Sequence, residues 1–213
     1  MSTQIYLIRH GESEGNKRRA FLGHTDLDLT ETGHSQAQNT AEFLKDIDAD
    51  VIYSSDLKRA YSTALHTAKM KKLDIVKSKN LREIYAGEWE NGLFCDLEKN
   101  FKESYKVWLG NIGRTKCDGG ESVEELQLRI VDEITRIAEE NEGNTVLIFT
   151  HATPIRVFKG FCDGCSLDEI KDIPWATNAS VTHARYDGGR FEILEYGIDY
   201  FQGKDKTVLP GNV

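Results

Sequence analysis

Residues 5–16 read Ile5-Tyr6-Leu7-Ile8-Arg9-His10-Gly11-Glu12-Ser13-Glu14-Gly15-Asn16. A short apolar run that stops abruptly at Arg-His-Gly reads as a buried strand delivering charged residues at its carboxyl end. The same pattern recurs twice. Val51-Ile52-Tyr53 stops at Ser54-Ser55-Asp56, and Val146-Leu147-Ile148-Phe149 stops at Thr150-His151.

Helical segments alternate with these runs. Ala37, Ala41 and Leu44 follow Thr30 at helical spacing. Leu57, Ala60, Ala64, Leu65 and Ala68 form one face after Asp56, which reads as an N-cap. Ser122-Val123-Glu124-Glu125 is a capping box, and Leu126, Ile130, Ile134 and Ile137 continue it as one stripe. Thr153-Pro154 reads as an N-cap followed by proline at the first helical position. Segments 180–186 and 190–195 flank Asp187-Gly188-Gly189 as a β-hairpin. Strands alternating with helices predict an α/β fold, a three-layer α/β/α arrangement around a mostly parallel central sheet. In such sheets ligands bind beyond the carboxyl ends of the strands, where His10, residues 54–59 and His151 all fall.

The stretch 84–120 differs in kind, with Trp89, Trp108, several glycines and a helix expected over 97–109. It reads as a helical cap inserted over the site within a single domain spanning 1–213. The last ten residues or so read as a loosely ordered tail.

Composition narrows the function. The chain has 213 residues, 39% hydrophobic and 29% charged, which suits an ordinary globular protein. A formal net charge of −8 argues against a general nucleic-acid or anionic-membrane surface. No apolar run of about 18 residues is present, and the N-terminus lacks a secretory pattern, so a cytoplasmic protein is expected. Cys162-Asp163-Gly164-Cys165 is a single C-x2-C without a second pair at suitable spacing, so no metal site is expected there.

Read alone, His10 could be a nucleophile, a metal ligand or a surface histidine. Its company weighs on the choice. Arg59 lies near a helix start, where the dipole favours an anion. His151 ends another strand, and Leu81-Arg82-Glu83-Ile84-Tyr85-Ala86-Gly87-Glu88-Trp89-Glu90 adds a carboxylic acid before a glycine turn. In this order the segments resemble the histidine phosphatase superfamily, the phosphoglycerate mutase-like enzymes. Residues 9–16 match its opening motif, Arg59 its second arginine, Glu83 its acid and His151 its second histidine. The segments at Phe21–Asp26, Leu29–Ala37, Gly119–Ser122 and Asn178–Thr182 extend the resemblance over nearly the whole chain.

The resemblance implies that His10 attacks phosphorus and carries the phosphoryl group, with its second nitrogen fixed on a backbone carbonyl. It implies that Arg9 and Arg59 clamp phosphoryl oxygens, helped by Asn16 and the Gly23 loop, that His151 donates to them, and that Glu83 is the general acid and base. Glu88 is a rival for that acid. Glu12, Glu14 and Glu90 read as structural or solvated, as do His24, His34, His66 and His183. Trp89 and Trp108 read as core, while Lys17, Arg18 and Arg19 read equally as a solvated run or as substrate contacts. No metal and no cofactor are implied. The expected partner is a small phosphorylated metabolite, with a homodimer left open and neither nucleic acid nor membrane involved. Within the family the short 110–120 region, with only Arg114 and Lys116, favours a phosphatase. The alternatives are a 2,3-bisphosphoglycerate-dependent mutase and a catalytically silent binder of phosphorylated ligands.

Overall fold

All three apolar runs form strands, and their order in the sheet explains the site. The computed structural model describes residues 1–207. Strands β1 (Thr3–Arg9), β2 (Val51–Ser55), β3 (Ile75–Ser78), β4 (Thr145–Thr150), β5 (Val181–Asp187) and β6 (Arg190–Ile198) form one sheet in the order β3-β2-β4-β1-β5-β6. The pairs β1–β4, β2–β4 and β2–β3 are parallel, and the hairpin β5–β6 adds antiparallel on β1. Arg9 pairs with Thr150, and Ser54 with Phe149. The carboxyl ends of β1, β2 and β4 therefore lie side by side, and the next residues of each strand meet.

Alternation along the strands splits the apolar side chains between two faces. Ile5, Leu7, Val146 and Ile148 join one core with Leu126, Ile130, Ile134 and Ile137 of α6 (Val123–Glu140) and Phe158 of α7 (Ala152–Cys162). Ile8, Leu147 and Phe149 join the other, against Leu44, Ala64 and Ala68 from the α2 (Glu31–Phe43) and α3 (Lys58–Lys71) layer. The result is the expected mixed α/β sheet, mostly parallel and flanked by helices. Among the described residues no helix is long and apolar enough to cross a membrane.

Helix starts follow the sequence in some places and not in others. Ser13 with Asn16 caps the short α1 (Glu14–Arg18), Thr30 caps α2, and Ser122 with Glu125 forms the capping box of α6. Asp56 does not cap α3: Leu57 occupies that position without a side-chain cap, and the Asp56 carboxylate instead holds Arg82 through two bonds of 2.6 and 2.5 Å. A two-pronged partner outcompetes one backbone N–H. Helix α7 begins one residue after β4, with His151 at its N-cap, so Thr153 and Pro154 are its second and third residues. Proline is tolerated there because the first-turn N–H groups have no intrahelical partner in any case.

The helix expected over 97–109 is two, α4 (Phe94–Asn100) and α5 (Lys102–Gly110), broken at Phe101 with φ −124° and ψ 44°. Phe101 leaves helical geometry as its ring packs 6.2 Å from Trp89, which is fully buried. The expected loose tail is also corrected at its start. Asp205 accepts from Ser35 and Gln36 at 2.6 and 2.7 Å, and Thr207 donates to Asn178 at 3.3 Å. Residues 208–213 lie outside the described residues.

The turn after His10 is pressed onto the start of α2. A Cβ on Gly11 would lie 2.5 Å from the Gly33 carbonyl oxygen, and one on Gly33 only 2.0 Å from that of Glu12. Both obstacles are backbone, so neither can swing aside. Gly33→Ala is therefore expected to lower the stability of the chain by about 1–3 kcal/mol, the usual cost of overpacking, read as a lower urea midpoint at unchanged slope. A midpoint equal to wild type would mean that this contact is looser than described.

Candidate active site

The parallel strands bring His10 and His151 to ring centroids 5.1 Å apart, inclined at 62°. Bonds to its main chain fix His10 from two sides: its N–H donates to Thr150 of β4 at 3.0 Å, and its carbonyl accepts from Ala179 and from the Asn178 side chain, just before β5, both at 3.1 Å. Its ring Nδ1 lies 2.7 Å from the Gly11 carbonyl oxygen. A carbonyl can only accept, so Nδ1 carries the proton and Nε2 is left with the lone pair. His10 is almost fully buried. Burial, then the charges of Arg59 and Arg9, holds its pKa well below 6.5, with the Gly11 bond opposing. The ring is neutral with a fixed tautomer and a free lone pair on Nε2, the state a nucleophilic imidazole needs.

Arg59, second in α3, is 1% exposed. It donates from Nε to His151 Nδ1 at 3.2 Å and from its two terminal nitrogens to Thr25 and Gly23 carbonyls at 2.9 and 2.8 Å. Arg9 donates to the Ala176 carbonyl at 2.6 Å, yet its buried Nε has no partner among the described residues. Burial lowers both guanidinium pKa values to about 10, so both stay charged at neutral pH.

Glu83 is buried, accepting from the backbone N–H of Ile84 at 2.8 Å and of Thr153 at 3.2 Å. The Thr153 donor belongs to the first turn of α7, which favours the carboxylate. Desolvation outweighs it and raises the Glu83 pKa. Arg129 steadies the segment by donating to the carbonyls of Asn80, Arg82 and Glu83 at 2.8, 3.1 and 3.2 Å while bound twice to Glu121. Sequence reading did not find Arg129: it lies on the polar side of α6, and nothing local distinguishes it from a solvated helix arginine.

Arg9, His10, Asn16, Arg59 and Glu83 all line one cavity. His151 and Gly23 do not. His151 is fully buried with both nitrogens engaged, Nδ1 by Arg59 and Nε2 by Ser55 Oγ at 2.9 Å, so it reaches a phosphoryl group only by exchanging a partner. Gly23 supports Arg59 from below; a Cβ there would meet Glu90 Oε1 at 2.3 Å and the Ile84 carbonyl at 2.4 Å. Asn16 has its side-chain oxygen occupied by Ser13 and Asn178.

Among the remaining candidates, Glu88 is exposed, whereas Glu83 faces the cavity. Glu90 is structural, accepting from His24, Thr25 and Ala86. Of the basic run, Arg19 lines the cavity, in the left-handed region at φ 56°. Trp108, expected in the core, lines it too, as do Phe94 and Trp175, which sequence reading passed over. Trp175 stands only three residues before Asn178, and that proximity was the one available signal.

A buried neutral imidazole facing a cavity flanked by two charged guanidiniums and one carboxyl group, on an α/β sheet edge, defines a histidine-centred anion site. The chain belongs to the histidine phosphatase superfamily (branch 1), whose model matches residues 5–199. It is 33% identical over 202 residues to phosphoserine phosphatase 1 of Hydrogenobacter thermophilus, covering 94% of this chain and 95% of that one. It is 37% identical over 158 residues to phosphoglycerate mutase-like protein 4 of Arabidopsis thaliana, covering 72% and 68%. The solved structure of Bacillus stearothermophilus YhfR superimposes with a TM-score of 0.90 at 28% identity, covering 94% of this chain and 99% of that one.

Two measurements check the geometry. Nitrogen NMR should find His10 neutral, protonated on Nδ1, at and below pH 6.5; a charged ring at pH 6.5 would contradict the burial argument. Arg9→Lys keeps a cation but removes Nε, and inhibition by inorganic phosphate should weaken by about tenfold, the value of one charge-assisted bond.

Proposed function

We propose that the chain is a metal-independent phosphomonoester hydrolase acting on a small phosphorylated metabolite through a phosphohistidine on His10. The observation that carries this reading is the pairing of a locked Nδ1–H, 2.7 Å from the Gly11 carbonyl, with a buried Nε on Arg9, without a partner among the described residues, beside the same cavity. One supplies a nucleophile and the other an anion donor awaiting an acceptor.

In the first step the Nε2 lone pair of His10 forms a bond to phosphorus as the phosphorus–oxygen bond of the ester breaks. Glu83 passes its proton to the leaving alcohol oxygen. Arg9, Arg59 and the Asn16 amide hold the three remaining oxygens, supplying the positive charge that phosphoryl transfer requires. In the second step Glu83, now a carboxylate, takes a proton from water as the water oxygen bonds to phosphorus. The phosphorus–nitrogen bond breaks, returning neutral His10, protonated Glu83 and phosphate. His151 steadies Arg59 and reaches the phosphoryl group if it releases Ser55.

Hydrolysis is favoured over a mutase because the two cations of the 110–120 region are spent elsewhere. Arg114 is paired with Asp168, and Lys116 lies 3.9 Å from Glu125; neither lines the cavity. A second phosphoryl group thus lacks a basic partner from this region. The resemblance to a phosphoserine phosphatase over nearly the whole chain supports the same choice.

With excess EDTA, wild type is expected to hydrolyse p-nitrophenyl phosphate, and His10→Ala is expected to be inactive and to form no acid-labile phosphoenzyme. With an alkyl phosphate the rate should fall on the acid side only well below pH 6.5, where His10 protonates, and on the alkaline side as Glu83 ionises at its raised pKa. Glu83→Gln should remove the alkaline limb and cost alkyl phosphates about 10²–10⁴-fold in kcat. With p-nitrophenyl phosphate, whose phenolate leaves without a proton, the same variant should give a fast burst followed by slow turnover. Efficient 2,3-bisphosphoglycerate-dependent mutase turnover would replace this reading by the mutase one.

A further inference from the structure

The cavity that holds the catalytic groups measures about 900 Å³, counted to its open mouth. Ala20, Phe21, Leu22, Phe94, Trp108 and Trp175 line it as well. These aromatic rings are fixed against each other. Phe21 meets Trp108 edge-on at 4.9 Å and 70°, and Phe94 at 6.2 Å and 90°; Trp108 and Trp175 are 6.2 Å apart. Trp175 is held from behind by Arg156, whose guanidinium lies 4.2 Å from the ring centre while donating to the Ile170 and Lys171 carbonyls at 3.1 and 2.8 Å. The wall is built before any ligand enters. Phe94, Trp108 and Trp175 are nevertheless only partly buried, so apolar ring surface faces the cavity.

Beside the catalytic groups the neutral polar lining is Ser13, Asn16, Thr153 and Asn178, and cations are few. Beyond Arg9 and Arg59, the one cation lining the cavity among the described residues is Arg19, which is exposed. An exposed ion pair is worth at most about fivefold in affinity, whereas burying a phenyl ring is worth roughly 10- to 100-fold. The ring therefore wins over the carboxylate.

We propose that the leaving-group side of this site is an aromatic box selecting phosphomonoesters whose alcohol carries a flat apolar ring, over short carboxylate-bearing esters such as phosphoserine or phosphoglycerate. The assignment rests on the hydrolase reading for its reaction, though not for its binding preference. Arg156 is a positioning residue within it, acting through Trp175.

The test separates the two readings. Binding of 2-phenylethylphosphonate and ethylphosphonate, neither of which can be hydrolysed at the phosphorus–carbon bond, is measured calorimetrically on the full chain. Alongside, kcat/KM is measured for 2-phenylethyl phosphate, ethyl phosphate and phosphoserine. We expect the phenyl compound to bind about 30-fold more tightly and to be turned over with a similar advantage over both other esters. Trp108→Ala and Arg156→Gln should each reduce the phenyl-to-ethyl binding ratio, to below about fivefold for the tryptophan. A ratio near one in wild type, or an unchanged ratio in a folded Trp108→Ala protein, overturns the box whatever the activity. Phosphoserine turned over best, with that preference lost in Arg19→Ala, overturns it in favour of a carboxylate site. Tight phenylethylphosphonate binding without hydrolysis of any ester keeps the box and removes the hydrolase.

Discussion

Two buried guanidiniums stand against one buried carboxyl group whose own pKa is raised, and this imbalance organises the site. Removing a charge from water costs several kcal/mol unless partners are supplied, and removing two like charges to one place costs more. Carbonyl oxygens of Gly23, Thr25 and Ala176 meet part of that demand. They carry only partial negative charge, so a positive field persists around His10 and adds to burial in holding it neutral. The same field is what a phosphoryl dianion would complete. On the proposed reading, the charges that help keep His10 neutral are also those that would hold the anion, so the two properties are linked.

Holding such a cluster requires stiff backbone, and the close approaches of Gly11 to Gly33 and of Gly23 to Glu90 provide it. Glu90 binds the 23–25 loop that carries the Arg59 acceptors, while Arg129 and the Arg82–Asp56 pair pin the chain on both sides of Glu83. Thr150, at the end of β4, donates to the Leu81 carbonyl at 2.7 Å and ties that segment to the sheet edge. Each supporting group is polar and at least partly sheltered. Loss of one would leave its partner unpaired, so the cost of a substitution would appear in the position of Glu83 or Arg59 before it appeared in global unfolding.

The central strands were legible in the sequence because their cores are continuous apolar runs buried on both faces. Strand β3 was not: it is an edge strand, Val76 is 45% exposed, and Lys77 and Ser78 carry no apolar period. The site residues that end strands were equally legible, since reactive groups placed after apolar runs are an uneconomical use of a loop unless they meet. What escaped were tertiary choices. Asp56 had two possible uses and took Arg82; Phe101 left a helix to pack on Trp89; Trp108 turned a face to the cavity. Each was decided by a partner distant in the chain, which no local pattern encodes.

The aromatic wall and the hydrolytic reading constrain each other. If water is to attack the phosphoenzyme, the alcohol must leave first, because it occupies the side from which water approaches. A ring bound too well would delay its own departure, and a wall that excluded water would favour return of the phosphoryl group to the alcohol. The cavity meets both demands by being open at its mouth and by placing Glu83 on its lining, where it can take a proton from water once the ring has gone. Packing of the wall bears on this: Phe21 and Trp108 pack on Trp89, and Trp175 on Arg156, so contacts within the protein set the positions of these rings. On this view, where hydrolysis and transfer draw on the same proposed groups, how quickly the box empties sets the partition between them.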